Sequence, residues 1–208
     1  MHYLKYSKNF YSQNGEGGVI AQILKEIKAD FNDLTVCEFG ASDGITYSNT
    51  FALIKKFNAK AIYIEGSKKL FRKLKQLTIK YPKIIAINKY VKYNGINSLD
   101  NILSKYQLKK KFDLLSIDID SYDLKVWENF KTLKPKIVII EINSNLGPNI
   151  AQYHGHGKIG NSFFSTLKVG HAKGCALVHH YGNLIFVKKQ FVQMLSIKKI
   201  FTKSKFNI

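Results

Sequence analysis

Two hydrophobic rhythms alternate along this chain: short runs rich in Ile, Val and Leu, and longer stretches in which apolar residues return every third or fourth position. The runs at 34–39, 60–64, 83–88, 112–117 and 136–142 predict five strands. Helical spacing predicts helices over 49–57, 67–79, from Ser98 onward, and over 123–132. An earlier helix within 11–29 carries Val19, Ile20, Ile23, Leu24 and Ile27 on one face, after turn and cap residues in Ser12-Gln-Asn-Gly15. Pro82 and Pro135 break the chain before strands three and five, and Ser98 with Asp100 offers an N-cap and a first-turn acid.

After strand five the rhythm changes. Residues 143–160 show no apolar periodicity and read as a long loop of the kind that carries function. A helix over 162–173 ends at Gly174, and the last two strands, 175–180 and 183–188, meet at Tyr181-Gly182 as an antiparallel hairpin. The pattern is therefore α/β: five strand-helix units closed by a hairpin, in a mostly parallel seven-stranded sheet. No internal repeat or low-complexity linker interrupts it.

At 208 residues the chain suits one domain over 1–208, with a lead-in and helix at 1–30 and a basic tail at 189–208. No apolar run approaches the ~20 residues that span a bilayer, and the start lacks the apolar core of a secretory signal, so the cytoplasm is the expected compartment. Cys37 and Cys175 lie in or beside predicted core strands and read as buried reduced thiols.

A net charge of +19 would ordinarily point to nucleic acid. Yet 32 of the 33 basic residues are Lys and only Arg72 is Arg, in a chain also loaded with Ile, Asn, Phe and Tyr, as a coding bias toward A and T would give. Arg reads phosphates and guanines bidentately, so a nucleic-acid partner is disfavoured. The lysine groups at Lys68, Lys69, Lys73 and Lys75 with Arg72, at 109–111, and at Lys198, Lys199, Lys203 and Lys205 read as solvated faces.

The 14 acidic residues are more telling. Glu38, Asp43, Glu65, Asp118, Asp120 and Glu141 all fall at or just past the carboxyl ends of predicted strands, the edge where open α/β sheets bind ligands. Gathering carboxylates is costly unless a cation or hydrogen-bond donors offset their repulsion. A cationic ligand such as S-adenosylmethionine, with its sulfonium and ammonium, fits. The turn after strand one carries Gly40 and Gly44 without the GxGxxG spacing of a dinucleotide site. The closing hairpin is the layout of the class I methyltransferase sheet, a Rossmann-like sandwich, rather than of a dehydrogenase, whose sixth strand is parallel.

Five segments carry a resemblance: Ser12-Gln-Asn-Gly-Glu-Gly17, Glu38-Phe-Gly-Ala-Ser-Asp43 with Ser48-Asn-Thr50, Tyr63-Ile-Glu-Gly66, Asp113-Leu-Leu-Ser-Ile-Asp-Ile-Asp120 and Val138-Ile-Ile-Glu-Ile-Asn143. In order and spacing the chain resembles the FkbM-type branch of the S-adenosylmethionine-dependent methyltransferases over most of 11–188. Gly17 stands where the opening element usually ends in Asp, and Glu38 where Asp is more common, so the acceptor stays open. The resemblance implies that Gly40 and Ala41 line the methionine part of the cofactor, that Asp43, Ser48 and Asn49 close that end, and that Glu65 accepts both ribose hydroxyls. Glu38, Ser42, Gly66, Ser67 and Asp118 complete the implied cofactor set, and Gln13 covers the site.

Methyl transfer to a hydroxyl needs alignment and a base. Asp118 and Asp120 are candidates for that base; alternatively, with Glu141 and Asn143, they hold a divalent ion such as Mg²⁺. His154 and His156, in the loop after strand five, are further candidates for catalysis or substrate binding; His179 and His180 read as structural, and Tyr122 and Trp127 as core. The expected activity is O-methylation of a sugar or other small hydroxylated acceptor, a small molecule or glycan. The alternatives are a nucleic-acid methyltransferase and a catalytically idle cofactor-binding partner subunit.

Overall fold

The computed structural model describes residues 2–106 and 112–197. Seven strands, β1 (Thr35–Phe39), β2 (Lys60–Glu65), β3 (Ile84–Asn88), β4 (Leu114–Ile117), β5 (Ile137–Ile140), β6 (Cys175–Tyr181) and β7 (Asn183–Lys188), form one sheet. Their order is β3-β2-β1-β4-β5-β7-β6. The first five are parallel, and β7 runs antiparallel between β5 and β6, as the hairpin pattern predicts.

Successive strand residues face opposite layers. Val36, Ala61, Tyr63, Leu114 and Ile137 pack under α1 (Glu16–Glu26), α2 (Phe51–Phe57) and α3 (Lys68–Lys80). Cys37, Ile62, Leu115 and Val138 pack under α4 (Leu99–Leu103), α5 (Asp123–Asn129) and α6 (Phe163–Ala172). With both faces covered, the inner strands read as unbroken apolar runs. Both cysteines are buried and free, and Trp127 is core. Tyr122 is not: it is exposed and lies edge-on to His154 with ring centroids 5.2 Å apart. No helix among the described residues is long and apolar enough to cross a membrane.

The helices that came out shorter than expected each lost residues to a polar partner. Helix α2 starts at Phe51 rather than 49 because Ser48, Asn49 and Thr50 bind the Glu38 carboxylate. Helix α5 stops at Asn129 because the N–H groups of Lys131 and Thr132 turn to Asp100 instead of continuing the helix. Two short elements carried no periodicity to announce them, a 3₁₀ turn (His2–Tyr6) and α7 (Lys189–Val192), the latter inside the segment read as tail. The Tyr3 hydroxyl and the Ser196 N–H both donate to Glu26, which ties the two ends of the described chain to α1. The lysine groups at 109–111 and 198–205 lie outside the described residues.

Gly40 marks the tightest backbone constraint. Its φ is +77°, and a Cβ there would lie 1.5 Å from the carbonyl oxygen of Asp118. The turn after β1 and the end of β4 are therefore in backbone contact, which fixes the ceiling of the site. Gly40→Ala is expected to lower unfolding free energy by about 3 kcal/mol or more through strain and overpacking. Urea denaturation checks this; an unchanged midpoint would show that the two strand ends are free to separate.

Candidate functional site

Parallel strands deliver their carboxyl ends to one edge, and two cavities open there. The first, about 320 Å³, is lined by Gly40, Ser42, Glu65, Gly66, Asp118 and Asp120, together with Lys89, Tyr90, Val91, Ile119 and others. At its mouth the Glu65 carboxylate ends β2 and is gripped by two backbone donors, the N–H of Ser42 at 2.8 Å and of Ser67 at 2.6 Å. Both bonds are local consequences of the turns after β1 and β2. They hold the carboxylate in one orientation while leaving lone pairs for a ligand. Ser67 serves the site indirectly, since its hydroxyl also caps α3.

The second cavity, about 390 Å³, shares Asp118 and Asp120 with the first and adds Gln13, Asp123, Glu141 and Asn143. Oxygens of Asp118, Asp120 and Glu141 all lie within 4.8 Å of one another. The turn presenting the first two is braced by Asp123, at the start of α5, which accepts from the N–H of Ile119 (2.7 Å) and of Ser121 (2.9 Å). Asp120 itself has a left-handed backbone, φ 55°. Burial, followed by the fields of Glu141, Asp123 and Asp120, pushes the Asp118 carboxyl up to about 8. Burial also raises Glu141, helped by Asp120 and Asp123, while a hydrogen bond with Asp118 opposes the rise.

Several candidate residues face inward instead. Glu38 is buried, accepting from the hydroxyls of Ser48 and Thr50 and from the N–H of Asn49; burial raises its pKa, and these hydrogen bonds oppose the rise. The Asn49 amide donates to Ser116 on β4, and Ala41 packs in the core. Burial tends to raise the Asp43 carboxyl, but the N–H groups of Thr46 and Ile45 outweigh it and hold the group below its usual range. None of these residues lines either cavity. His154 also stays out of both: its Nδ1 accepts from the Gly160 N–H at 3.2 Å and organises the loop. Asn143 lines the second cavity, but its side-chain oxygen accepts from the Asn145 N–H and its amide donates to the Ile159 carbonyl.

The sequence reading missed Tyr90, although the rule that ligands sit beyond strand ends points to the loop after β3. It missed Asp123, third acid of Asp118-Ile-Asp-Ser-Tyr-Asp123, and the distant amides Asn161 and Asn183, which no local pattern announces. Glu16 is 1% exposed and accepts from the Asn14 N–H (2.8 Å) and the Asn183 side chain (2.9 Å). It thereby pins the segment carrying Gln13 to the hairpin turn, beside the second cavity.

No protein-family model and no curated protein matches the sequence. Solved structures do match in fold. The N-terminal domain of EvdMO1, with S-adenosylhomocysteine bound, aligns over 86% of this chain and 82% of its own, with TM-score 0.53 and 11% identity. A Galdieria sulphuraria protein described as a candidate sarcosine dimethylglycine methyltransferase aligns over 77% of this chain and 61% of its own (TM-score 0.51, 14% identity). An O-methyltransferase family protein from Burkholderia thailandensis aligns over 83% and 58% respectively (TM-score 0.51, 10% identity). This chain thus spans about three fifths of the latter two proteins. At such identities the likeness shows the fold alone, the Rossmann-like, mostly parallel seven-stranded sheet with an antiparallel hairpin that these methyltransferase structures share.

The raised pKa of Asp118 has a thermodynamic consequence. Burial and the neighbouring carboxylates push it up to about 8 in the folded chain, against ~3.9 when unfolded. Between those values the folded state binds more protons, so stability falls as pH rises through that window. Thermal unfolding of the ligand-free protein is expected to drop from about pH 6 to about pH 9. Asp118→Asn should flatten that decline and be the more stable protein at the alkaline end. A parallel decline in both proteins would show that Asp118 ionises without cost.

Proposed function

We propose that the protein is an S-adenosylmethionine-dependent methyltransferase that methylates a hydroxyl of a sugar or other small hydroxylated acceptor. The observation that carries this reading is the Glu65 carboxylate, clamped by two backbone N–H groups over a cavity that meets the acid-lined one at Asp118. A doubly accepting carboxylate at the end of β2 suits a vicinal diol such as a ribose. The donor set fits the cofactor: Tyr90, Val91 and Ile119 offer walls for a base, and the carboxylates at the strand ends offset a sulfonium and an ammonium. When bound, the cofactor supplies an electrophilic methyl group. The S-adenosylhomocysteine bound to the EvdMO1 domain and the O-methyltransferase family of the Burkholderia protein support the same reading. So does the motif order that resembles the FkbM-type branch.

The second cavity favours a polyol. It is lined by Gln13, Asn14, Asn143, Asn145, Asn161 and Asn183 besides its four carboxylates; Asn143, Asn161, Asn183 and Asp123 spend part of their capacity on internal hydrogen bonds, and the remaining polar atoms suit neighbouring hydroxyls. We assign Asp118, whose raised pKa makes its ionised form a stronger base, to take the proton from an acceptor hydroxyl, with Asp120 beside it. Glu141 shares its hydrogen bond with Asp118 and tunes it. A divalent ion on these three carboxylates is the competing role.

Calorimetry is expected to give micromolar dissociation constants for S-adenosylmethionine and S-adenosylhomocysteine, roughly 7–9 kcal/mol, and no measurable binding of NAD. Preference for NAD would overturn the reading. Glu65→Gln should weaken cofactor binding by about 1.5–3 kcal/mol, the scale of a charged hydrogen bond, with the melting temperature little changed. An unaltered affinity would move the ribose site elsewhere.

On an acceptor drawn from a panel of sugars and small polyols, Asp118→Asn is expected to lower turnover about 100-fold or more, with cofactor affinity little changed and no effect of chelator on the wild type. Loss of activity in chelator, rescue by Mg²⁺ and equal harm from Glu141→Gln would assign the three carboxylates to a metal instead. Near wild-type turnover in Asp118→Asn, Asp120→Asn and Glu141→Gln would shift the search to the His154 loop.

A further inference from the structure

We propose that the flank built from α3, the edge strand β3 and the loop that follows is a docking surface for an anionic phospholipid bilayer. Residues 66–99 hold nine basic side chains and none of the 14 acidic residues of the chain. All nine are exposed: Lys68, Lys69, Arg72, Lys73, Lys75, Lys80, Lys83, Lys89 and Lys92. A coding bias raises lysine everywhere, but it does not keep acids out of one continuous segment of chain; in space Asp43 comes near enough to Lys73 for the lysine's field to lower its pKa. The segregation is therefore a property of this flank, which meets the acid-rich strand ends at Lys89, a residue lining the first cavity.

Apolar residues stand inside the basic field. On α3, Lys68, Arg72, Lys75 and Ile79 follow one another at the three- and four-residue spacing of a single helical stripe. Ile79 is 85% exposed, in a shallow recess with Phe71, Arg72 and Lys75. Ile96 in the loop is also exposed. Holding such side chains in water is unfavourable, and a headgroup layer would take them up. Because Leu74 and the rest of the apolar face of α3 already pack against the sheet, attachment would be peripheral and salt-sensitive rather than inserted.

The chemistry selects lipid over nucleic acid. Lysine acts as a point charge, well suited to the smeared negative potential of a bilayer, whereas phosphate and base readout draws on arginine forks, of which this flank has one. An isolated Ile amid lysines has no partner on a phosphate backbone but does have one among acyl chains. This inference is independent of the methyltransferase reading.

Co-sedimentation tests it, using phosphatidylcholine vesicles with and without about 30% phosphatidylglycerol at ~0.1 M salt. Wild-type protein is expected to bind the anionic vesicles only. Lys68→Glu, Arg72→Glu and Lys75→Glu together should reduce partitioning at least about tenfold, and Ile79→Ser alone, with charge unchanged, roughly threefold. A control of equal charge, Lys25→Glu, Lys56→Glu and Lys168→Glu on α1, α2 and α6, should retain most of the binding. Circular dichroism melting confirms that each variant folds, and Ile79→Ser keeps the test decisive should the triple α3 variant not. Equal loss in both triple variants, absence of wild-type binding, or displacement of the vesicles by single-stranded RNA at the same salt would each overturn the proposal.

Discussion

Parallel strands bring their carboxyl ends together, and in this chain those ends carry carboxylates; how each negative charge is compensated governs the architecture of the site. Glu38 is satisfied by two hydroxyls and a backbone N–H, Asp43 by the turn that follows it, and Asp123 by the turn it braces. These three are structural in effect: remove any one and a turn loses its partner. Glu65 is half compensated, held by two donors on one side and open on the other. Asp118 and Glu141 share a hydrogen bond with each other, and burial raises both, as it also raises Glu38 and Asp123 against the pull of their donors. The gradient from satisfied to unsatisfied acids, rather than their mere presence, separates scaffold from candidate chemistry.

Most of the fold was legible because the sheet is buried on both faces. Each strand then writes an apolar run into the sequence, and turn residues such as Tyr181-Gly182 close the pattern with a hairpin. What the sequence could not show were long-range polar captures. Nothing near residue 131 says that Asp100 will take the N–H groups of Lys131 and Thr132 and end α5 early. The same blindness applies to the site. Glu38, one residue before the end of β1, and Glu65, the last residue of β2, are both acids in suggestive motifs, yet the first is taken by the hydroxyls of Ser48 and Thr50, ten and twelve residues on, while the second is held by the backbone N–H groups of Ser42 and Ser67 beside a cavity.

Gly40 illustrates a second limit. A glycine after the first strand of a nucleoside-binding fold invites the reading that a ligand must come close. In the structure the space its Cβ would fill belongs to the Asp118 carbonyl, 1.5 Å from that position. The glycine thus serves the ligand at one remove: by letting the β1 turn touch the end of β4, it brings Glu65 and Asp118 to the borders of one cavity. Glu16 acts in the same indirect manner from the far side, joining the Gln13 segment to the hairpin.

A chain of net charge +19 would seem a poor host for a cationic ligand. The objection fails on range. At physiological salt, fields between exposed charges fade over ~8 Å, while the oxygens of Asp118, Asp120 and Glu141 lie within 4.8 Å of one another. A ligand among them feels those carboxylates in a partly desolvated setting, where interactions are stronger than in water. The lysines of 66–99 project from exposed positions and, apart from Lys89 at the wall of the first cavity, are largely screened. Segregation rather than total charge is what matters: on the two readings proposed above, acids gathered at the strand ends hold a cation while the basic flank, apart from Lys89, faces an anionic partner.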